Sequence, residues 1–166
     1  MNLLEVPIVA AIRRNHALEH ATIHVLSEKW ASLRLVGRSD WGGFTLYGPV
    51  ETEKVAGAVA LAQQRLTAGE SQLAVHPRCG TNLATGVVLA SAASYAALSG
   101  RRRSGLQRVL QLLLGVGAAL ALAQPLGLRL QERVTTSPQV AGLRVARITR
   151  QQRGAVVMHR IETVSE

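Results

Sequence analysis

Three regimes of hydrophobic patterning follow one another along this chain. Over residues 8–30, Val9, Ile12, Ala17, Ile23, Leu26 and Trp30 recur at intervals close to three and four, with no Gly or Pro between them, which predicts an amphipathic helix. Residues 33–36 and 44–47 are short strand-like runs around a turn-rich segment at 37–43, the pattern of a β-hairpin, and Pro49 closes it. Residues 51–66 predict a second helix with Val55, Ala58, Val59, Ala62 and Leu66 on one face; Glu51 and Glu53 suit its first turn and Gly69 stops it. A short strand over 71–75 follows. The second regime is uncharged: residues 83–98 and 109–128 carry no Asp, Glu, Lys or Arg, and the segment between them holds Arg101, Arg102, Arg103 and Arg108. In the third regime, residues 143–148 and 156–161 alternate with period two about a turn at 151–154, predicting a second hairpin that adds to the sheet of the first.

These elements predict an α+β fold in three parts. Residues 1–82 form a small domain of helix, β-hairpin, helix and strand, and residues 83–128 a two-helix transmembrane hairpin. Residues 129–166 form a C-terminal β-hairpin that packs on the first domain. Each uncharged stretch approaches the roughly 20 residues that span a bilayer core. Neither has a polar face, which disfavours the alternative of two buried helices in a soluble fold. Gly86, Ser91, Ala92, Gly115, Gly117 and Ala118 would let the two helices approach closely. The expected location is the cell membrane, as a two-span protein with its folded parts in the cytoplasm, although the arginines do not decide orientation. The apolar run at 6–12 lacks a preceding basic segment and a cleavage site, and is not read as a signal peptide.

Composition sharpens this picture. The net charge is +9, carried almost wholly by arginine, since Lys29 and Lys54 are the only lysines. Nucleic acid is excluded as the expected partner: aromatic residues make up 3% of the chain, too few for stacking platforms, and no zinc-finger spacing or long basic helix is present. The arginines instead suit anionic headgroups flanking membrane segments, and the bilayer is the expected partner. One cysteine, Cys79, rules out an intramolecular disulfide.

Candidate chemistry is concentrated in two segments. His16-Ala17-Leu18-Glu19-His20 places two imidazoles at i and i+4 on one helical face, a spacing that grips a single zinc ion. Glu19, about 60° round the helix from His16, is the candidate general base. A catalytic zinc takes about three protein ligands and a water. The third ligand is expected from the loop His76-Pro77-Arg78-Cys79-Gly80, whose Pro and Gly fix side-chain directions; His76 and Cys79 both qualify, and together they would close a four-ligand structural site. His24 is a further ligand or supporting group, and Arg78, Thr81 and Asn82 are candidates for binding substrate or an oxyanion. Asp40 is a possible partner for a histidine. Trp30, Trp41 and Tyr47 read as core or interface aromatics, and His159 as a surface strand residue. The metal expected is zinc or another divalent transition metal. The reaction expected is hydrolysis, with a peptide or membrane-protein substrate; the alternative is a non-enzymatic membrane metalloprotein.

The letters H-x-x-E-H are similar to those of the inverzincin zinc hydrolases. Taken with H-P-R-C-G-T at 76–81 and the apolar helix that follows, they resemble the YqhQ-like family of bacterial membrane proteins, a family of unknown function described as metal-dependent. There the first motif reads like H-G-A-E-H-K and the second like H-P-R-C-G-T-S, and Leu130-Gln131 and Thr135-Thr136 find similar counterparts after the membrane helices. The resemblance runs from about residue 13 to 137 and implies membrane location and metal dependence. This chain is shorter, His24 and the hairpin at 37–48 have no counterpart, and Asn82 stands where the family has Ser.

Overall fold

The computed structural model describes residues 3–99 and 104–165. It is an α+β protein with four α-helices and one four-stranded antiparallel sheet. Two compact units divide the chain: Met1–His76 with Glu132–Glu166, and Pro77–Gln131.

In the first unit, Pro at the first helical turn opens α1 (Pro7–Lys29), where its missing N–H costs nothing. Helix α1 contributes ten buried residues, with Ala17, Leu18, Ala21, Val25 and Leu26 fully enclosed. Strands β1 (Val36–Asp40) and β2 (Gly43–Tyr47) form the first hairpin, turning at Trp41-Gly42. This places the strand three residues later than the 33–36 run, inside the segment expected to be loop. The turn is fixed by Asp40, whose Oδ1 accepts the Gly42 N–H at 2.9 Å. Gly43 at φ 138° enters β2 where any Cβ would strike the Ile161 carbonyl. Helix α2 (Thr52–Thr67) packs on α1, and Arg65 ties it to Glu28 of α1 and to Glu70. Ser71–Ala74 is a short 3₁₀ turn rather than the expected strand, with Val75 alone extended. It follows the helix terminus at Gly69 (φ 98°).

Strands β3 (Leu143–Arg153) and β4 (Val156–Ser165) form the second hairpin, and β4 also pairs with β2, giving the order β1-β2-β4-β3. Because β4 is flanked on both sides, the inward-facing His159 is fully buried, not on the surface as its sequence context predicts. Thr52 Oγ1 lies 3.1 Å from its Nε2, and burial holds its pKa below the ordinary imidazole value. Phe44, Leu46 and Ile161 meet Leu18, Leu26, Val55 and Val59 to form the core.

The second unit consists of α3 (Gly80–Leu98) and α4 (Gly105–Leu130), packed antiparallel. Small residues set their approach: a Cβ on Gly86 would touch Ala123, one on Gly115 would touch Ala93, and one on Gly127 would collide with Asn82. Ser104 and Gln107 cap α4 reciprocally, so the helix starts four residues before the uncharged run at 109. The Thr85 and Ser94 hydroxyls donate to carbonyls one turn back, satisfying polar groups within the helix itself. Both helices are long and apolar enough to cross a membrane: α3 extends about 28 Å, and each apolar window is only 11% buried. They are therefore not the enclosed core helices of the alternative reading. Arg101, Arg102 and Arg103 lie outside the described residues.

Candidate metal centre

Helix α1 presents His16, His20 and His24 as a stripe along one face. Facing them is the segment Ala74–His76, delivered by the 3₁₀ turn. The four imidazoles form a continuous row: ring centroids are 4.3 Å apart for His16 and His20, 5.7 Å for His20 and His76, and 5.0 Å for His24 and His76. One ring nitrogen of His16 and one of His20 lie within 4.8 Å of each other, a separation a shared ion would span.

Each histidine on α1 is oriented by a backbone carbonyl. His16 Nδ1 lies 3.0 Å from the Thr135 oxygen, His20 Nδ1 2.8 Å from Ala74 O, and His24 Nε2 2.9 Å from Val75 O. A carbonyl oxygen only accepts, so the ring nitrogen in each pair carries the proton. This fixes the tautomer and makes the opposite nitrogen the lone-pair atom: Nε2 in His16 and His20, Nδ1 in His24. Such N–H···O=C support is the usual companion of a metal-ligating imidazole. Burial, followed by the nearby His16, pulls the His20 pKa down to about 3, so the ring is neutral across the physiological range.

Glu19 leaves α1 beside this stripe and is 4% exposed. Its carboxylate lies against the backbone of Gly37 in β1, in space that any side chain at 37 would occupy. Asn15, fully buried, holds the same region of the helix to the sheet. Its Nδ2 donates to the carbonyls of Asp40 (2.9 Å) and Trp41 (3.3 Å), and its Oδ1 accepts from Thr163 (2.7 Å). Arg13 ties the helix to the returning chain through the Arg133 and Thr136 carbonyls, and Ser137 N donates to Arg13 O. Asp40 serves no histidine: Arg160 engages both its oxygens at 2.8 Å and holds its carboxyl below the usual range. Beside the carbonyls that orient the histidines lies a cleft of about 270 Å³, lined by Ala74, Val75, Glu132, Thr136 and others.

The remaining candidates belong to the second unit. Cys79 is buried at the N-cap of α3, its Sγ accepting the Thr81 N–H at 3.4 Å and donating towards Thr81 Oγ1 at 3.5 Å. Asn82 acts as a clamp, donating to Pro77 O (2.8 Å) and accepting from Gln131 Nε2 (2.7 Å). Arg78 is exposed. The sequence reading missed the carbonyls of Ala74, Val75 and Thr135, because a backbone acceptor leaves no side-chain signature. It also missed Asn15, for which a lone amide next to His16 in an otherwise apolar stretch is a usable signal.

Residues 11–148 match the model of a family described as a domain of unknown function, DUF6391. An uncharacterized protein of Picosynechococcus sp. (strain ATCC 27264 / PCC 7002 / PR-6) is 35% identical over 135 residues, covering 76% of this chain. The match spans 66% of that relative's length. No solved structure matches the chain.

Proposed function

Since the chain belongs to the DUF6391 family, a domain of unknown function, we propose its function from its own side chains: a zinc-dependent hydrolase of the cell membrane, most simply a peptidase. The observation that carries this reading is the set of imidazole N–H groups given to the carbonyls of Thr135, Ala74 and Val75. Three rings fixed in one tautomer beside His76 are a donor set suited to zinc. The likeness of the two motifs to the YqhQ-like family and to the inverzincins supports the same reading.

In this mechanism His16, His20 and His76 would hold the ion, with Cys79 the competing third ligand three residues beyond His76. When bound, zinc would supply Lewis acidity that lowers the pKa of a water towards neutrality. Glu19 accepts the proton of the attacking water on a carboxylate oxygen and returns it to the leaving amine. Gly37 leaves the space in which that carboxylate sits. Substrate would enter by the cleft lined by Ala74, Val75 and Thr136, a peptide or membrane-protein segment presented from the bilayer.

A second reading rests on His24, whose ring packs 5.0 Å from His76. Four protein ligands would make the site closed and structural. The test is the metal content of the full chain, purified in detergent without chelators, followed by cobalt substitution. About one metal per chain, lost in His16→Ala/His20→Ala, supports the centre; no stoichiometric metal in the unaltered chain sinks both readings. Added hydroxamate that perturbs the cobalt spectrum marks an open position and chemistry, whereas an indifferent spectrum marks a structural site. Thiolate-to-cobalt absorption that vanishes in Cys79→Ser identifies Cys79 as a ligand.

A further inference from the structure

The sheet of the first unit has one covered face, where Phe44, Leu46, His159 and Ile161 are buried. The pairing register assigns the side chains of the opposite face. Arg38 of β1 shares a rung with Thr45 and Arg160. On β3 the pairing skips Ala146: Val145 pairs with Thr163 and Arg147 with Glu162, neighbouring rungs of β4. In an unbroken strand, Arg144 and Arg147 would point to opposite faces, because side chains alternate. The bulge absorbs one residue and brings both to the outer face. Arg153, six residues beyond Arg147, shares that face. Five arginines therefore occupy one sheet surface with two acidic residues, Asp40 and Glu162, and Asp40 is already engaged by Arg160. Arg38, Arg144, Arg147 and Arg153 are all exposed. Between them lie exposed Val36 (67%) and Val156 (50%), with Tyr47 and Met158 half-buried.

We propose that this outer face docks on the anionic headgroups of a lipid bilayer. Clustered cations beside small apolar side chains fit a charged interface backed by acyl chains. Tyr47 is the face's lone aromatic, so a single-stranded nucleic acid would find no stacking platform. The unit is also covalently continuous with two helices apolar enough to cross a membrane. The inference is independent of the metal reading, because none of its residues is a candidate ligand.

The test is hydrogen exchange on the full chain in nanodiscs of phosphatidylcholine alone and of phosphatidylcholine with added phosphatidylglycerol. Amides of Leu143–Arg153 are expected to exchange about fivefold or more slowly in the anionic discs, the factor that one arginine near such a surface is worth. High salt and the triple variant R144Q/R147Q/R153Q should each abolish the difference. Unchanged exchange in β4 of the triple variant would report an intact fold. Equal exchange of β3 in both discs would overturn the proposal, as would protection by an oligonucleotide but not by anionic lipid.

Discussion

Helices α1 and α4 are of similar length and do opposite things with their surfaces. Helix α1 mixes charged and polar residues with apolar ones, and its middle is enclosed: Asn15, Glu19, His20 and Thr22 are all buried. Helix α4 is uncharged over most of its length, yet Leu106, Leu113 and Leu114 are 65–73% exposed. Polarity in the first is organised inward, with Asn15, His20 and Thr22 each given a backbone or side-chain partner. Apolarity in the second is turned outward, on a helix long and apolar enough to cross a membrane. The contrast teaches that in this chain polar residues mark the interior worth testing, while hydrophobic runs mark a surface.

The largest expected effect tests the enclosed side. Phe44→Ala should cost about 3–5 kcal/mol in chemical denaturation of the first unit, while Leu114→Ala should leave the detergent-solubilised chain's melting unchanged. Replacing Leu114 by Arg reverses the order in an insertion assay, disfavouring the span by about 3 kcal/mol. Next, chelation of metal-loaded protein should lower its melting temperature, since a ligand at a hundredfold excess over its dissociation constant stabilises by about 2.7 kcal/mol; His16→Ala/His20→Ala should no longer respond. Asn15→Ala strips the Asp40 and Trp41 carbonyls and the Thr163 hydroxyl of their partner, and a loss of about 1–3 kcal/mol is expected on denaturation.

A smaller effect concerns pH. His159 has a depressed pKa in the folded chain, so its contribution is present above the unfolded value near 6.5 and is lost as pH falls below it, when the unfolded chain takes up a proton that the folded chain resists. Melting curves of His159→Gln should show a shallower decline over that range. The smallest effect is at the surface. Asp40→Asn removes a partly exposed ion pair worth about 0–1 kcal/mol, and because that carboxyl's pKa is lowered, the wild-type advantage should fade as pH drops below about 3.8.

Much of this arrangement is legible from periodicity. The periodicity places α1 and α2 within one residue at each end, and Pro7, Pro49 and Gly69 punctuate them. Strand β1 escaped because Gly37, Arg38, Ser39 and Asp40 have poor strand propensity; it is held by pairing with β2 and by Asn15 beneath its turn, neither of which is local. His159 was misplaced because alternation gives a strand's faces but not its neighbours, and a central strand buries what an edge strand would expose. The start of α4 was marked in the sequence by Ser104 and Gln107, a capping pair that the hydropathy boundary concealed. At the candidate centre, the side chains were visible and their supports were not, since three of the supports are carbonyls.

The strand that joins the two hairpins, β4, is translated after both apolar helices. Chains fold from the N-terminus as they emerge, so α1 leaves the ribosome with part of its surroundings still unmade. His20 and His24 receive their carbonyl partners, Ala74 and Val75, before the helices appear. The Thr135 carbonyl that orients His16, and the Thr163 hydroxyl that completes Asn15, arrive only after them. Both apolar helices are thus synthesised before the histidine row is complete, and His16 is the last of its helix's imidazoles to gain its carbonyl.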